Sequence, residues 1–307
     1  HLKPALGKIK LTELTTLQVE KFLISLAAPK PKGKGLSENS IRSIRAALVT
    51  ALNQGKRWKW NASNPAEDAE IPVTTPPKAL PRFKEDQGRQ LLEAFQSFPA
   101  CEILETALWS GCRPSELCGL RRKDIHFDKA TARPTGFDIT CQFQYQKRAG
   151  DEVRQPYLVP PKTKYSIRHV DIPDEAADAI LGAIDRSTRV WAELIQKDAL
   201  LPNAQFAMEH GLVFVTELGT PMNVDTTLYR IKRCLENADM EPLTPHKLRH
   251  LFATGLIDSK EVSINDVAGA LGHSTPGITL RVYARPTEGS TRRVANVTGT
   301  LFKKTSQ

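Results

Sequence analysis

The stretch GCRPSELCGL, residues 111–120, is where the fold becomes readable. Gly111 suits the end of one helix, Pro114 and Ser115 suit the start of the next, and Arg113 therefore falls in a tight turn between two helices. A turn arginine either projects its rigid fork into a cleft or spends it on helix-terminal carbonyls or a surface carboxylate. Glu116, three residues on, is placed to hold Arg113 through a charge-assisted bond. Outward from this turn, helical periodicity covers 85–97 and 100–110 on one side and 174–197, 222–238, 244–257 and 263–271 on the other. Between 138 and 172 the texture changes to short β-rich runs, DITCQFQYQ, PYLVPP and RHVDIP, broken by a polar turn near Ala149, Gly150 and Asp151. The pattern predicts a small antiparallel β-sheet inside a mainly α domain, an α+β fold, with LVFVTELGTP at 212–221 adding a short strand.

Further upstream, IPVTTPPKALP at 71–81 sets four prolines in eleven positions, which removes backbone donors and holds neighbouring residues extended. This is the expected linker, at 76–83, between a helical unit at 1–75 and a larger domain at 84–285, with a tail at 286–307. In the first unit Thr15 or Thr16 caps a helix carrying Val19, Phe22, Leu23 and Leu26. A second helix starts near Ser37, aligns Ile41, Ile44, Leu48 and Leu52 in one stripe, and is expected to end at Gly55. The loop KPKGKG between them carries Lys30, Lys32 and Lys34, and Arg42 and Arg45 lie opposite the stripe.

The whole chain has 307 residues, 40% hydrophobic and 25% charged, and a mean hydropathy of −0.35. That excludes a disulfide-stapled mini-protein and a disordered chain, and no run of 18 apolar residues suggests a membrane span. The formal charge of +9 favours an anionic partner such as nucleic acid or a membrane surface. Residues 1–80 hold 13 basic and 6 acidic side chains, a net +7, which leaves +2 for the other 227 residues. Cys101, Cys112, Cys118, Cys141 and Cys234 are odd in number and form no CxxC pair, so they read as buried thiols of a reducing compartment. The chain opens in mid-pattern at His1, which reads as a fragment or a processed form.

Two later stretches complete the chemistry. In PHKLRH, 245–250, Pro245 opens a helix and places His246 and Arg249 three apart, on one face. His246 and His250 also have the spacing of two metal ligands. They lack an HExxH glutamate and any neighbouring Cys or Asp cluster, so a metal site is not expected there. In LGHSTPGITLRVYARP, 271–286, Gly272 closes a helix, His273 follows in the turn, and Tyr283 comes ten residues later. Each signal is weak alone, but their order in one basic two-domain chain is specific.

That ordered set resembles the tyrosine recombinase family, and in particular the integrases of phages and integrative elements. The family signature is an Arg in a G-x-R-x-x-E-L turn, a Lys on a β-hairpin, an H-x-x-R pair, a His or Trp after a Gly, and a nucleophilic Tyr. The resemblance assigns these catalytic places to Arg113, a lysine of PPKTKYSIRHVDIP, His246 and Arg249, His273, and Tyr283. Lys162 and Lys164 are two apart and a strand would turn both to one side; Lys162, directly before Thr, matches the family pattern better, with Lys164 supporting. The first unit resembles the family's core-binding region, and Lys30, Lys32, Lys34, Arg42 and Arg45 are its expected DNA contacts. Relatives usually carry a further helix, and often an arm-type domain, ahead of this point.

The implied reaction is DNA strand cleavage and rejoining through a 3′-phosphotyrosine, without metal or nucleotide cofactor. Two arginine forks suit the extra negative charge that builds on the phosphate oxygens. The implied partners are double-stranded DNA attachment sites, a homotetramer spanning two such sites, and accessory DNA-bending or directionality proteins, with no membrane. The implied setting is the cytoplasm of a bacterial host, associated with the nucleoid when active. The rival readings are a type IB topoisomerase, which shares the phosphotyrosine chemistry, and a non-enzymatic DNA-binding protein in which Tyr283 is packing.

Overall fold

The structure, a computed structural model, describes residues 1–72, 85–275 and 277. By its internal contacts the chain separates into two units, His1–Pro81 and Arg82–Gln307. The proline-rich segment 76–83 lies outside the described residues, as do Tyr283 and the tail at 286–307.

In the first unit α1 (Leu2–Leu6) precedes α2 (Thr16–Ala27) and α3 (Glu38–Arg57). Thr15 starts α2 through a reciprocal capping box with Gln18, and the Ser37 hydroxyl accepts the Ser40 N–H at the start of α3. The apolar stripes then meet: Val19, Phe22, Leu23 and Leu26 of α2 are buried against Ile41, Leu48 and Leu52 of α3. Each such side chain contributes about 1.5–3 kcal/mol of burial. Gly55 does not end α3, which runs two residues further. The glycine serves packing instead, because a Cβ there would sit 2.6 Å from Asn61 Oδ1 where the chain folds back.

The second unit begins with α4 (Glu85–Gln96) and α5 (Glu102–Ser110). α5 is its central helix, packed against α4 and against α7 (Asp174–Gln196), α9 (Val224–Asn237) and α10 (Pro245–Ser259). Its Ile103, Leu104, Ala107 and Leu108 are buried, so it is apolar nearly all round, as a surrounded helix must be. The remaining α-helices with assigned bounds among the described residues are α6 (Pro114–Cys118), α8 (Pro202–Glu209) and α11 (Ile264–Leu271). α8 escaped the periodicity reading because eight residues with little amphipathic contrast give it nothing to detect.

The β-rich stretch forms two antiparallel sheets where one was expected. One holds β1 (Ile125–Phe127), β2 (Pro134–Ile139) and β5 (Arg168–Asp171) in the order β1-β2-β5; the other is the hairpin of β3 (Gln142–Gln146) and β4 (Gln155–Val159). The run DITCQFQYQ is thus divided between them, and a hairpin is inserted between two strands that pair across it. The segment 212–221 forms isolated bridges, Leu212 to Arg121 and Val215 to Pro221, and no strand. Residues 212–215 are fully buried around Phe214, so burial and not pairing explains their apolar run. All five cysteines are buried free thiols, with Cys101 and Cys234 Sγ atoms 3.0 Å apart. Among the described residues, no helix is long and apolar enough to cross a membrane.

Candidate active site

The site is built where α5 ends. Gly111 terminates that helix in the left-handed region (φ 61°), and a Cβ there would lie 2.3 Å from the Phe252 ring of α10, so glycine is required for conformation and for space. The chain turns at once into α6, with Arg113 extended as its N-cap and Pro114 in the first helical position. Glu116 reaches back: one carboxylate oxygen accepts the Arg113 backbone N–H at 2.8 Å and the other accepts Arg113 Nη1 at 2.6 Å. The Glu116 side chain is fully buried, whereas the Arg113 side chain remains 32% exposed.

A second guanidinium, which the sequence reading did not single out, completes this pair. Arg168 of β5 donates from Nη2 to Glu116 at 3.1 Å and to Cys112 Sγ at 3.4 Å, and from Nε to the Ala270 carbonyl at 2.7 Å, near the end of α11. The available signal was parity: Val170 of the same strand faces inward, so Arg168 does too, and an inward charge on a strand calls for a buried partner. Burial pushes the Glu116 carboxyl up, but the Arg168 and Arg113 contacts outweigh it and hold the group below the usual carboxylate range. Replacing Glu116 by alanine would leave these guanidiniums together without their shared carboxylate. The expected cost is about 3–5 kcal/mol, read as a lower urea midpoint; glutamine, which keeps the shape and not the charge, should fall between.

Arg249 reaches the same place from α10, whose start is set by the Thr244 cap and Pro245. It is 1% exposed. Nη1 donates to the Gly111 carbonyl at 2.7 Å and Nη2 to the Leu271 carbonyl at 2.5 Å, so one fork ties the C-terminal ends of α5 and α11 together. Burial, and then the like charges of Arg113 and Arg168, lower its pKa to about 10. Three guanidiniums near one carboxylate leave this cluster with an uncompensated positive charge, which an anionic ligand would relieve.

His273 follows Gly272, the left-handed end of α11, and its Nε2 lies 3.0 Å from Arg249 Nη2. Since a guanidinium only donates, Nε2 accepts, which leaves the proton of the neutral ring on Nδ1. Burial and then the neighbouring arginines lower its pKa to about 4. His246 and His250 meet edge to face at 4.9 Å on α10, and both are also pushed down, by burial first. Histidines with depressed folded-state pKa values stabilise the fold above the unfolded value near 6.5 and lose that contribution as pH falls. His169, raised by Asp138, acts in the opposite sense. An NMR titration of the DNA-free protein should give His273 a midpoint near pH 4, and a midpoint at 6 or above would contradict this geometry.

The phage integrase family model matches residues 158–289, which include the HKLRH, LGH and VYARP stretches. A XerC-like tyrosine recombinase of Caldanaerobacter subterraneus subsp. tengcongensis is 26% identical over 90% of this chain and 68% of its own length. Residues 158–289 thus carry a phage integrase domain, and over most of its length the chain is similar to tyrosine recombinases. An integrase of Streptomyces ambofaciens is 22% identical over 99% of this chain and 73% of its own length. Among solved structures, the Tn1549 transposon integrase in complex with a circular intermediate DNA superposes with a TM-score of 0.70 at 21% identity, over 94% of this chain and 86% of the other.

Lys162, Lys164 and, in the first unit, Arg45 sit differently from their sequence reading. Lys162 and Lys164 are exposed, but neither lies in a strand or in the β3–β4 hairpin. Lys162 is in a bend and Lys164 opens a 3₁₀ turn, Lys164–Ser166, on the connection from β4 to β5. Outside a strand, the two-residue spacing fixes no common side for them. Lys164 Nζ lies over the Tyr165 ring at 5.4 Å. In the first unit Lys30, Lys32 and Lys34 are exposed in the connection between α2 and α3. Arg42 bonds Glu38 at 2.6 Å, and Arg45, half-buried, donates to the Glu67 carbonyl. Arg45 thus helps hold the returning segment of its own unit.

Proposed function

We propose that this site-specific DNA recombinase cleaves and rejoins DNA strands with Arg113 and Arg249 on the scissile phosphate and Tyr283 as nucleophile. The Tyr283 oxygen forms a bond to phosphorus while the bond to the 5′ oxygen breaks. The tyrosine proton passes to His246, and Lys162, with Lys164 supporting, protonates the departing 5′ oxygen. A 5′-hydroxyl from another strand then reverses the step, so the phosphodiester energy is kept in a 3′-phosphotyrosine link. His273 donates from Nδ1 to a phosphate oxygen, and the phosphate charge favours its protonated form.

The observation that carries this reading is the excess of guanidinium over carboxylate in one cluster, held by hydrogen bonds before any ligand arrives. Residues 1–75 act as the core-type DNA-binding domain with Lys30, Lys32, Lys34 and Arg42 on phosphates, and 84–285 as the catalytic domain. The tail at 286–307, with Val294, Val297, Leu301 and Phe302, docks on a neighbouring subunit of a tetramer holding two DNA sites. The reaction integrates and excises a mobile element in the cytoplasm of a bacterial host, at the nucleoid, with accessory proteins setting direction.

A duplex nicked beside the cleavage point tests it, because loss of the short strand traps the intermediate. The native chain should become covalently attached to DNA, with the modified peptide mapping to Tyr283. DNA retention without adduct would sink the enzymatic reading, and relaxation of plasmids without exchange between two sites would favour the topoisomerase.

A further inference from the structure

We propose a metal site on the outward face of the β1-β2-β5 sheet: one Zn²⁺ bound by His126 Nε2, His169 Nδ1 and the Asp138 carboxylate, with water in the fourth position. The three donors come from three strands and lie within 4.8 Å of one another. His126 Nε2 is 2.9 Å from one Asp138 oxygen and His169 Nδ1 is 2.8 Å from the other. In a tetrahedral zinc site with bonds of about 2.0–2.1 Å, donors stand about 3.3 Å apart, so the ion requires only a slight opening of this cluster.

The hydrogen bonding points to a cation. His169 sets both ring nitrogens on carboxylates, Nδ1 on Asp138 and Nε2 on Asp171 at 3.2 Å. A neutral imidazole has one N–H and cannot satisfy both; either the ring is protonated or a cation replaces the proton at Nδ1. With Zn²⁺ on Nδ1, the Nε2–H still donates to Asp171, which is the outer carboxylate that orients a metal-bound histidine. The cluster also depends on Gly136 of β2, opposite His126 and Asp171, because a Cβ there would come within 2.7 Å of His169 Nε2. The sheet is two-faced at this point: His169 turns out to the cluster, and its neighbour Arg168 turns in to Glu116. A bound ion would tie β5 to β1 and β2 and so steady the strand that carries Arg168.

Isothermal titration of the tag-free, chelator-treated full chain with ZnCl₂ tests the proposal, with Co²⁺ as a spectroscopic probe. One equivalent of Zn²⁺ should bind, Co²⁺ should show tetrahedral d–d absorption, and saturating Zn²⁺ should raise the melting temperature by about 5 °C. His126→Ala, His169→Gln and Asp138→Asn should each weaken binding at least tenfold, and Asp171→Asn about tenfold. The melting temperature without metal checks the fold of each variant. His246→Ala should leave the titration unchanged. No binding up to about 1 mM Zn²⁺, binding indifferent to the sheet variants, or binding lost with His246→Ala would each overturn the site.

Discussion

Tyr283→Phe is expected to abolish the covalent protein–DNA adduct, a loss of at least about 10⁴-fold in cleavage, while duplex binding stays within about twofold. The substitution removes one oxygen. In the proposed reaction that oxygen is the atom that bonds phosphorus, and a phenylalanine ring offers no nucleophile in its place. Duplex affinity rests instead on many phosphate contacts and on salt, to which one uncharged phenol adds little. Single-turnover trapping on the nicked duplex, with a gel-shift titration at fixed salt, separates the two effects. Adduct formation by the phenylalanine variant would show that another residue is the nucleophile.

Arg249→Lys should lower the trapping rate about 10³-fold, close to 4 kcal/mol of transition-state stabilisation. A lysine keeps the charge but has no fork. It cannot bond the Gly111 and Leu271 carbonyls together and also present a donor to the phosphate, and its flexible stem is not held by either helix end. Stability should fall as well, because a buried carbonyl left unpaired costs about 1–3 kcal/mol. Relief of the repulsion from Arg113 and Arg168 offsets part of that loss. The melting temperature should therefore drop by a few degrees while the rate collapses. A variant that cleaves within tenfold of the native chain would remove Arg249 from the phosphate clamp.

Much of the fold was legible because its signals are local. The caps at Thr15 and Ser37, the stripe from Ile41 to Leu52, and the proline and glycine that bracket Arg113 act over three or four residues, and the chain obeys them. The Arg113–Glu116 pair is local in the same sense. Gly55 misled because a glycine inside a helix and a glycine after one look alike until a neighbour such as Asn61 takes up the space. The lysines misled because the strand reading assumed that β-rich runs adjacent in sequence pair with one another. In the folded chain β2 pairs with β5 across an inserted hairpin, which leaves Lys162 and Lys164 on a connection.

By itself the sequence determined most of the longer helices, the division into a basic first unit and a nearly neutral second one, and the ordered residues that carry the family resemblance. Each of these is set by short-range spacing or by composition. Tertiary structure alone decided that Arg168 shares Glu116 with Arg113 across 52 positions, and that Arg249 joins two helix ends. It also decided that His126, Asp138 and His169 meet on one sheet face. Those contacts depend on which strands are neighbours and where helices stop, and a side chain's charge or hydrogen-bonding capacity becomes a site only after burial has chosen its partners.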